Sequence, residues 1–166
     1  MTTPYYDQHG ATLYVGDVVD VLKTLPDGCV QTCVTSPPYW ALRSYLPDDH
    51  ADKSLEIGSE PTPDAFVAKM VEVFREVRRV LRDDGTLWLN LGDSYATGGA
   101  QTTGYNEPGW IKTGGECNGG QRTKVGHSGL KPKDLCGIPW RVALALQADG
   151  WYLRSDIIWS KPNPMP

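Results

Sequence analysis

Apolar residues recur along this chain in two alternating rhythms. Thr12-Leu13-Tyr14-Val15-Gly16-Asp17 reads as a short strand ending at a turn. Val18, Val21, Leu22 and Leu25 then follow the spacing of a helix face, until Pro26-Asp27-Gly28 stops it. Cys29 to Thr35 is a β-branched, apolar run that ends abruptly at Ser36-Pro37-Pro38. Two prolines cannot continue a central strand, so this segment sits just past the carboxyl end of one. That is where open α/β sheets bind ligands.

Residues 41–61 read as an acidic loop. Thr62-Pro63-Asp64 is a helix start, with an N-cap, proline at the first helical position and an acid in the first turn. Phe66, Val67, Met70, Val71, Phe74, Val77, Val80 and Leu81 give that helix a sustained apolar face. Arg78, Arg79 and Arg82 suit the negative end of its dipole, and Asp83-Asp84-Gly85 is read as its end. Thr86 to Leu91 is the next strand, followed by Gly92-Asp93-Ser94-Tyr95. Residues 96–133 then fill with glycine and read as a flexible loop, too poor in apolar side chains to offset its ordering entropy. A further helix starts at Ile138-Pro139-Trp140 and ends at Asp149-Gly150, and Trp151 to Trp159 reads as a last strand. Strands alternating with helices predict an α/β domain with a mostly parallel sheet.

Composition narrows the class. The chain has 166 residues, enough for one domain with a real core, and is 40% hydrophobic. No apolar run approaches the roughly 20 residues that span a bilayer, and the polar start is unlike a secretory signal, so a cytoplasmic location is expected. The four cysteines, Cys29, Cys33, Cys117 and Cys136, lack the paired spacing of a zinc site, and nothing points to an oxidising compartment. No metal is expected. A net charge of -4 excludes a small, wholly basic nucleic-acid binder. The charge is segregated, however. Lys112, Arg122, Lys124, Lys131 and Lys133 face only Glu116 between residues 109 and 133. That stretch reads equally as a solvated loop or as one that contacts phosphates.

Ser36-Pro37-Pro38-Tyr39 carries the chemistry. As a bare tetrapeptide it is also simply a proline-rich turn closing a strand. Its place after a buried strand, between Thr35 and Trp40, gives it more content. An exocyclic base amine is a poor nucleophile, because its lone pair is delocalised into the ring. Methylating it requires acceptors that hold the amine and aim the lone pair at a methyl donor. A serine hydroxyl and a backbone carbonyl on a rigid turn meet that need by positioning and by stabilising developing charge. Proline stiffens the turn and has no N–H to compete. A neighbouring aromatic side chain, Tyr39 or Trp40, can stack on an extruded base.

On these residues the sequence resembles the amino-methyltransferases of bacterial and phage DNA, in the circularly permuted class whose catalytic motif precedes the main cofactor motif. Leu13 to Asp17 resembles the family's opening segment and Thr35 to Trp40 its catalytic motif. The helix ending at Arg79-Val80-Leu81, the strand from Gly85 to Tyr95, Ile138-Pro139-Trp140-Arg141 and Leu153 to Pro162 resemble its scaffold motifs. The resemblance implies a Rossmann-like fold and S-adenosylmethionine as methyl donor. Double-stranded DNA is the implied partner. It implies a catalytic turn of Ser36, Pro37, Pro38 and Tyr39, with Ser36 and the Pro37 carbonyl on the amine and Tyr39 stacked on the base. The implied cofactor contacts are Asp17, Thr35 and Ser36, although an aspartate at a strand-to-helix turn is also often only an N-cap. Trp40, Lys112, Arg122, Lys124 and Lys161 are the candidates for base or DNA contact. Trp159 and Lys161 fit packing and solvation equally well, and Asp93 reads as a turn residue or a site residue.

Serine at the first motif position tilts the reading to cytosine-N4 over adenine-N6. Cytosine-C5 chemistry is disfavoured, because it needs a cysteine nucleophile and no Pro-Cys pair exists. The family's glycine-rich cofactor motif and recognition region are not found in these residues. The expectation is therefore a single partial domain over residues 1–166 whose central cofactor-motif strands are missing, completed by a C-terminal half or a complementing chain. The alternative is an inactive fragment, or a non-catalytic DNA-binding or assembly subunit of a split enzyme. Alone, the chain is predicted to bind S-adenosylmethionine weakly. Titration calorimetry on the 166-residue chain checks this, and tight binding would overturn it.

Overall fold

A computed structural model describes residues 3–96, 130–131 and 133–163. The chain opens with an antiparallel hairpin of β1 (Tyr6–Gln8) and β2 (Ala11–Leu13), in which Gln8 faces Ala11 across a two-residue turn. His9 and Gly10 both take positive φ there, 53° and 76°, the backbone that matches the twist of a tight hairpin. Of the strand expected over Thr12 to Asp17, only Thr12 and Leu13 form one, within β2, which is one arm of a separate small sheet. It does not belong to the parallel one.

Helix α1 (Val18–Lys23) is short and is capped by Asp17. Strand β3 (Val30–Thr35) follows. A long connection carrying a 3-10 turn, Lys53–Leu55, leads to α2 (Pro63–Val80), whose first turn is held by the Thr62 hydroxyl accepting from the Ala65 amide at 3.1 Å. Strand β4 (Leu81–Leu89) begins as soon as α2 stops. The helix therefore ends before Asp83-Asp84-Gly85, and those residues lie inside the strand, where the register with β3 shifts between Val30 and Thr32. Gly85 permits this irregularity, since a Cβ there would lie 2.8 Å from the Arg82 carbonyl and 3.1 Å from that of Gln31. Past the shift, Cys33 pairs with Leu87, Val34 with Trp88 and Thr35 with Leu89, in parallel.

The apolar face of α2 makes the core. Phe66, Met70, Phe74 and Val77 are buried with Trp40, Leu81, Cys136, Ile138, Val142 and Leu146. The last three come from α3 (Ile138–Ala148), which packs on α2 and is tied to it by Arg75 donating to Asp149 at 2.8 Å. One turn further along α2, Arg79 donates to the carbonyls of Leu22 and Leu25 at 2.7 and 2.9 Å. These bonds tie α2 to the backbone at and just past the end of α1.

One face of the parallel pair is covered and the other is not. Cys33, Leu87 and Leu89 point to the core. Val34 and Trp88, opposite each other on the other face, are 77% and 54% exposed. Parallel strands ordinarily bury both faces. The strand expected from Trp151 to Trp159 does not form: these residues pair with no described strand, and Ile157, Ile158 and Trp159 are exposed. The apolar pattern of a strand is present there, but no described neighbour offers it a ladder. What forms is a mixed α/β arrangement with a small parallel sheet. No helix among the described residues is long and apolar enough to cross a membrane. Truncating Phe66, which has no exposed surface, to alanine is predicted to cost roughly 3–5 kcal/mol of stability, measured by urea unfolding.

Candidate active site at the end of the parallel pair

The ladder between β3 and β4 closes with the Asn90 amide donating to the Thr35 carbonyl at 2.9 Å. Pro37 and Pro38 offer no N–H beyond it, so the chain turns out of the sheet. Ser36 is exposed at this point, while Pro37, Pro38 and Tyr39 are half-buried. The Ser36 hydroxyl reaches the Tyr39 hydroxyl at 3.4 Å. The Asn90 side-chain amide donates to both, at 3.1 Å to Tyr39 and 3.4 Å to Ser36. Three polar groups from two strand ends thus converge at the sheet's carboxyl edge.

The Tyr39 ring is held by a close approach of backbone. A Cβ on Gly92 would lie 2.6 Å from its Cε2 and 2.8 Å from its Cδ2. On the other side of the turn, Gly58, at φ 97°, packs against the Tyr39 carbonyl and accepts from the Ala41 amide at 2.8 Å. Here only glycine meets both the conformation and the space.

Gly58 belongs to the loop between β3 and α2, and that loop is fixed by Glu56. This carboxylate, 5% exposed, accepts from the Leu46 amide at 3.2 Å and from Lys53 at 2.7 Å, and also from the Tyr45 amide. Burial alone would push the Glu56 carboxyl up. The bonds from Lys53, Tyr45 and Leu46, with the Lys53 charge, outweigh it and hold the group below the usual carboxylate range. Glu60, four residues on, goes the other way: burial raises it despite the hydrogen bonds from its own amide and that of Gly58.

Other sequence-derived candidates lie elsewhere. Trp40, expected on a base or on DNA, is 2% exposed, and its indole N–H donates to the Glu60 carbonyl at 2.9 Å. Its ring belongs to the core with Phe66 and Met70, where an apolar face buries more surface than an exposed turn would allow. Asp17 caps α1, with Oδ1 accepting from the amides of Val19 and Asp20 at 2.9 and 3.2 Å. Asp93 bonds the start of α3, accepting from Gly137 at 3.0 Å and from Ile138 at 3.1 Å, so it joins the strand end to the next helix. Lys161 and Trp159 are exposed. Lys112, Arg122 and Lys124 lie outside the described residues, as does nearly all of the 96–133 loop. Cys33, two residues before Thr35, faces the core, and burial pushes its thiol up, away from the thiolate a nucleophile needs. Asn90, Gly92, Gly58 and Glu56 were not singled out by sequence. The signal for Asn90 was its place just past a strand that pairs with the one leading to Ser36.

A family model described as DNA methylase matches residues 30–166. The chain belongs to this family. It is a family of DNA amino-methyltransferases. Its relatives include the type II methyltransferase M.XycI of Xanthomonas campestris pv. cyanopsidis, 52% identical over 95% of this chain and 48% of the relative. M.Cfr9I of Citrobacter freundii is 50% identical over 95% of the chain and 49% of its own length. M.SmaI of Serratia marcescens is 45% identical over 93% and 49%. The chain therefore spans about half the length of these curated relatives. No solved structure matches it.

Because the folded Glu56 carboxyl titrates below its unfolded value, its hold on the loop is full above the unfolded value. It is lost as pH falls through the lower, folded one. Amide exchange at Tyr45 and Leu46 is predicted to accelerate across that acidic window beyond the intrinsic trend, and Glu56→Gln to remove the step. Protection indifferent to acid would contradict this.

Proposed function

We propose that this chain carries the amine-holding half of a type II DNA methyltransferase that acts on a flipped-out base. The observation that carries the reading is the convergence of Ser36, Tyr39 and Asn90 where the parallel ladder ends. Ser36 and the Pro37 carbonyl accept the two N–H groups of the base amine, and Tyr39 stacks on the ring, with Pro38 keeping the turn rigid. Held in this way, the amine would keep its lone pair free toward the methyl donor and would pass one proton to water once methylated. S-adenosylmethionine, when bound, supplies the methyl group as an electron-poor sulfonium.

The residues present fit that group. Both described bonds of Asp17 use Oδ1, so Oδ2 is open to an amine donor of the adenine. Thr35 and Ser36 lie at the sheet's carboxyl edge, where such ligands sit. Cytosine-N4 is the favoured target over adenine-N6, from serine at the first motif position. Lys161, with Lys112, Arg122 and Lys124, supplies phosphate contacts.

The fold is read as a Rossmann-like methyltransferase sheet in which further strands extend the β3–β4 pair and pair with the segment around Ile157, and the helices between them cover Val34 and Trp88. These strands come from a C-terminal half, in the same polypeptide or a complementing chain. The bare sheet face and the half-length match to the relatives support this. The same two observations favour, as a second reading, a non-catalytic DNA-binding or assembly subunit.

Labelled methyl transfer to DNA separates the two. The chain alone is expected to be silent. Mixed with the C-terminal half of a close relative, it is expected to transfer methyl groups, with Ser36→Ala at least about a hundredfold slower. A well-folded pair that binds DNA but never transfers would favour the subunit reading.

A further inference from the structure

We propose that Asn90 is a positioning residue for methyl transfer, one that fixes the Ser36 hydroxyl as a hydrogen-bond acceptor. This rests on the amine-methyltransferase reading above and adds a residue that the motif itself does not contain.

A serine oxygen has one proton and two lone pairs. An acceptor for a base amine needs a free lone pair and a proton turned elsewhere. The geometry around Ser36 supplies both. Its proton points to the Tyr39 hydroxyl, 3.4 Å away, and one lone pair takes an Asn90 amide hydrogen at 3.4 Å. Among the described residues nothing takes the other lone pair, which stands on an exposed oxygen for the incoming amine. The second Asn90 amide hydrogen goes to the Tyr39 hydroxyl at 3.1 Å. Asn90 thereby sets the spacing between the group that holds the amine and the ring that stacks on the base.

The asparagine is well placed to be rigid. Its own amide makes the last rung of the ladder, 2.9 Å from the Thr35 carbonyl, so its backbone is locked to the residue preceding Ser36. Two residues on, Gly92 lies against the Tyr39 ring. The segment from Asn90 to Gly92 thus touches the catalytic turn at its entry, its hydroxyl pair and its ring. During transfer the bonds that break and form are those of the methyl group and the amine. Asn90 exchanges no proton, and its amide keeps the serine in the one orientation that leaves its lone pair available as charge develops on nitrogen.

The test uses the chain paired with the C-terminal half of a close relative, with Asn90→Ala and the isosteric Asn90→Asp. Both variants remove the two donors, and Asn90→Asp preserves shape, so a folding failure in one is controlled by the other. Each is expected to lower kcat about tenfold while KM for S-adenosylmethionine stays within about twofold. A second readout needs no activity. In the 166-residue chain labelled at tyrosine Cζ with carbon-13, the Tyr39 resonance, assigned by Tyr39→Phe, is expected to shift in both variants and not in a distant surface variant such as Lys23→Ala.

Unchanged kcat in Asn90→Ala would overturn the proposal, as would an unmoved Tyr39 resonance. Full activity in Asn90→Asp would overturn the donor assignment, since that residue offers only acceptors. If a well-folded, DNA-binding wild-type pair is silent while the Tyr39 resonance still shifts, the methyl-transfer reading itself fails, and the role of Asn90 in transfer falls with it. The hydrogen bonds would then stand as structure alone.

Discussion

Where a parallel ladder stops decides what it presents to solvent. In this chain the stop is set by Pro37 and Pro38, two consecutive residues with no amide hydrogen to continue pairing. The last rung, from Asn90 to Thr35, sits just before them. Everything at the candidate site follows from that rung. Ser36 leaves the sheet with its hydroxyl exposed, Tyr39 folds back within reach of it, and the Asn90 side chain lies between the two. Had the ladder run further, the serine would have been one more strand residue alternating in and out of the core.

A turn with no regular hydrogen bonds of its own needs outside support, and the loop from Ala41 to Glu60 provides it. Glu56 gathers two amides and a lysine into its buried carboxylate, which sets the loop's shape. Gly58 then brings the loop backbone against Pro38 and Tyr39. Trp40 anchors the far side, its ring in the core and its N–H on the Glu60 carbonyl. The acidic character that makes this stretch look like a solvated loop includes the carboxylate that orders it. Placement of the candidate turn is therefore shared between the sheet and the loop.

The sequence carried the long features well. The Thr62-Pro63 cap and the apolar face of α2 from Phe66 to Val80 appear as read, because cap chemistry and helical periodicity are local, whereas Leu81 begins β4. The turn after β3 was legible for the same reason. Features that depend on a distant partner were not. The His9-Gly10 turn lacks the usual Asn-Gly or Asp-Gly signal, so the first hairpin went unread. Trp40 looked like a site aromatic, since an aromatic beside a motif has the same letter whether it faces the ligand or the core. The segment from Trp151 to Trp159 has the composition of a strand, but a strand also requires a neighbour. Asn90 was legible only as a polar residue ending a strand. Its meaning comes from the pairing of β3 with β4, which places it beside Ser36.

On the proposed function, this turn directs a methyl group to an exocyclic nitrogen with no covalent bond between enzyme and base. The direct measurement is the chemical position of the transferred group. DNA methylated with labelled S-adenosylmethionine by the chain paired with its complementing half would be digested to nucleosides and resolved by mass spectrometry. Label is expected on an exocyclic amine, with N4 of cytosine favoured. Label on the C5 carbon of cytosine would contradict it, because that reaction requires an attacking thiolate that the Ser36 turn does not contain.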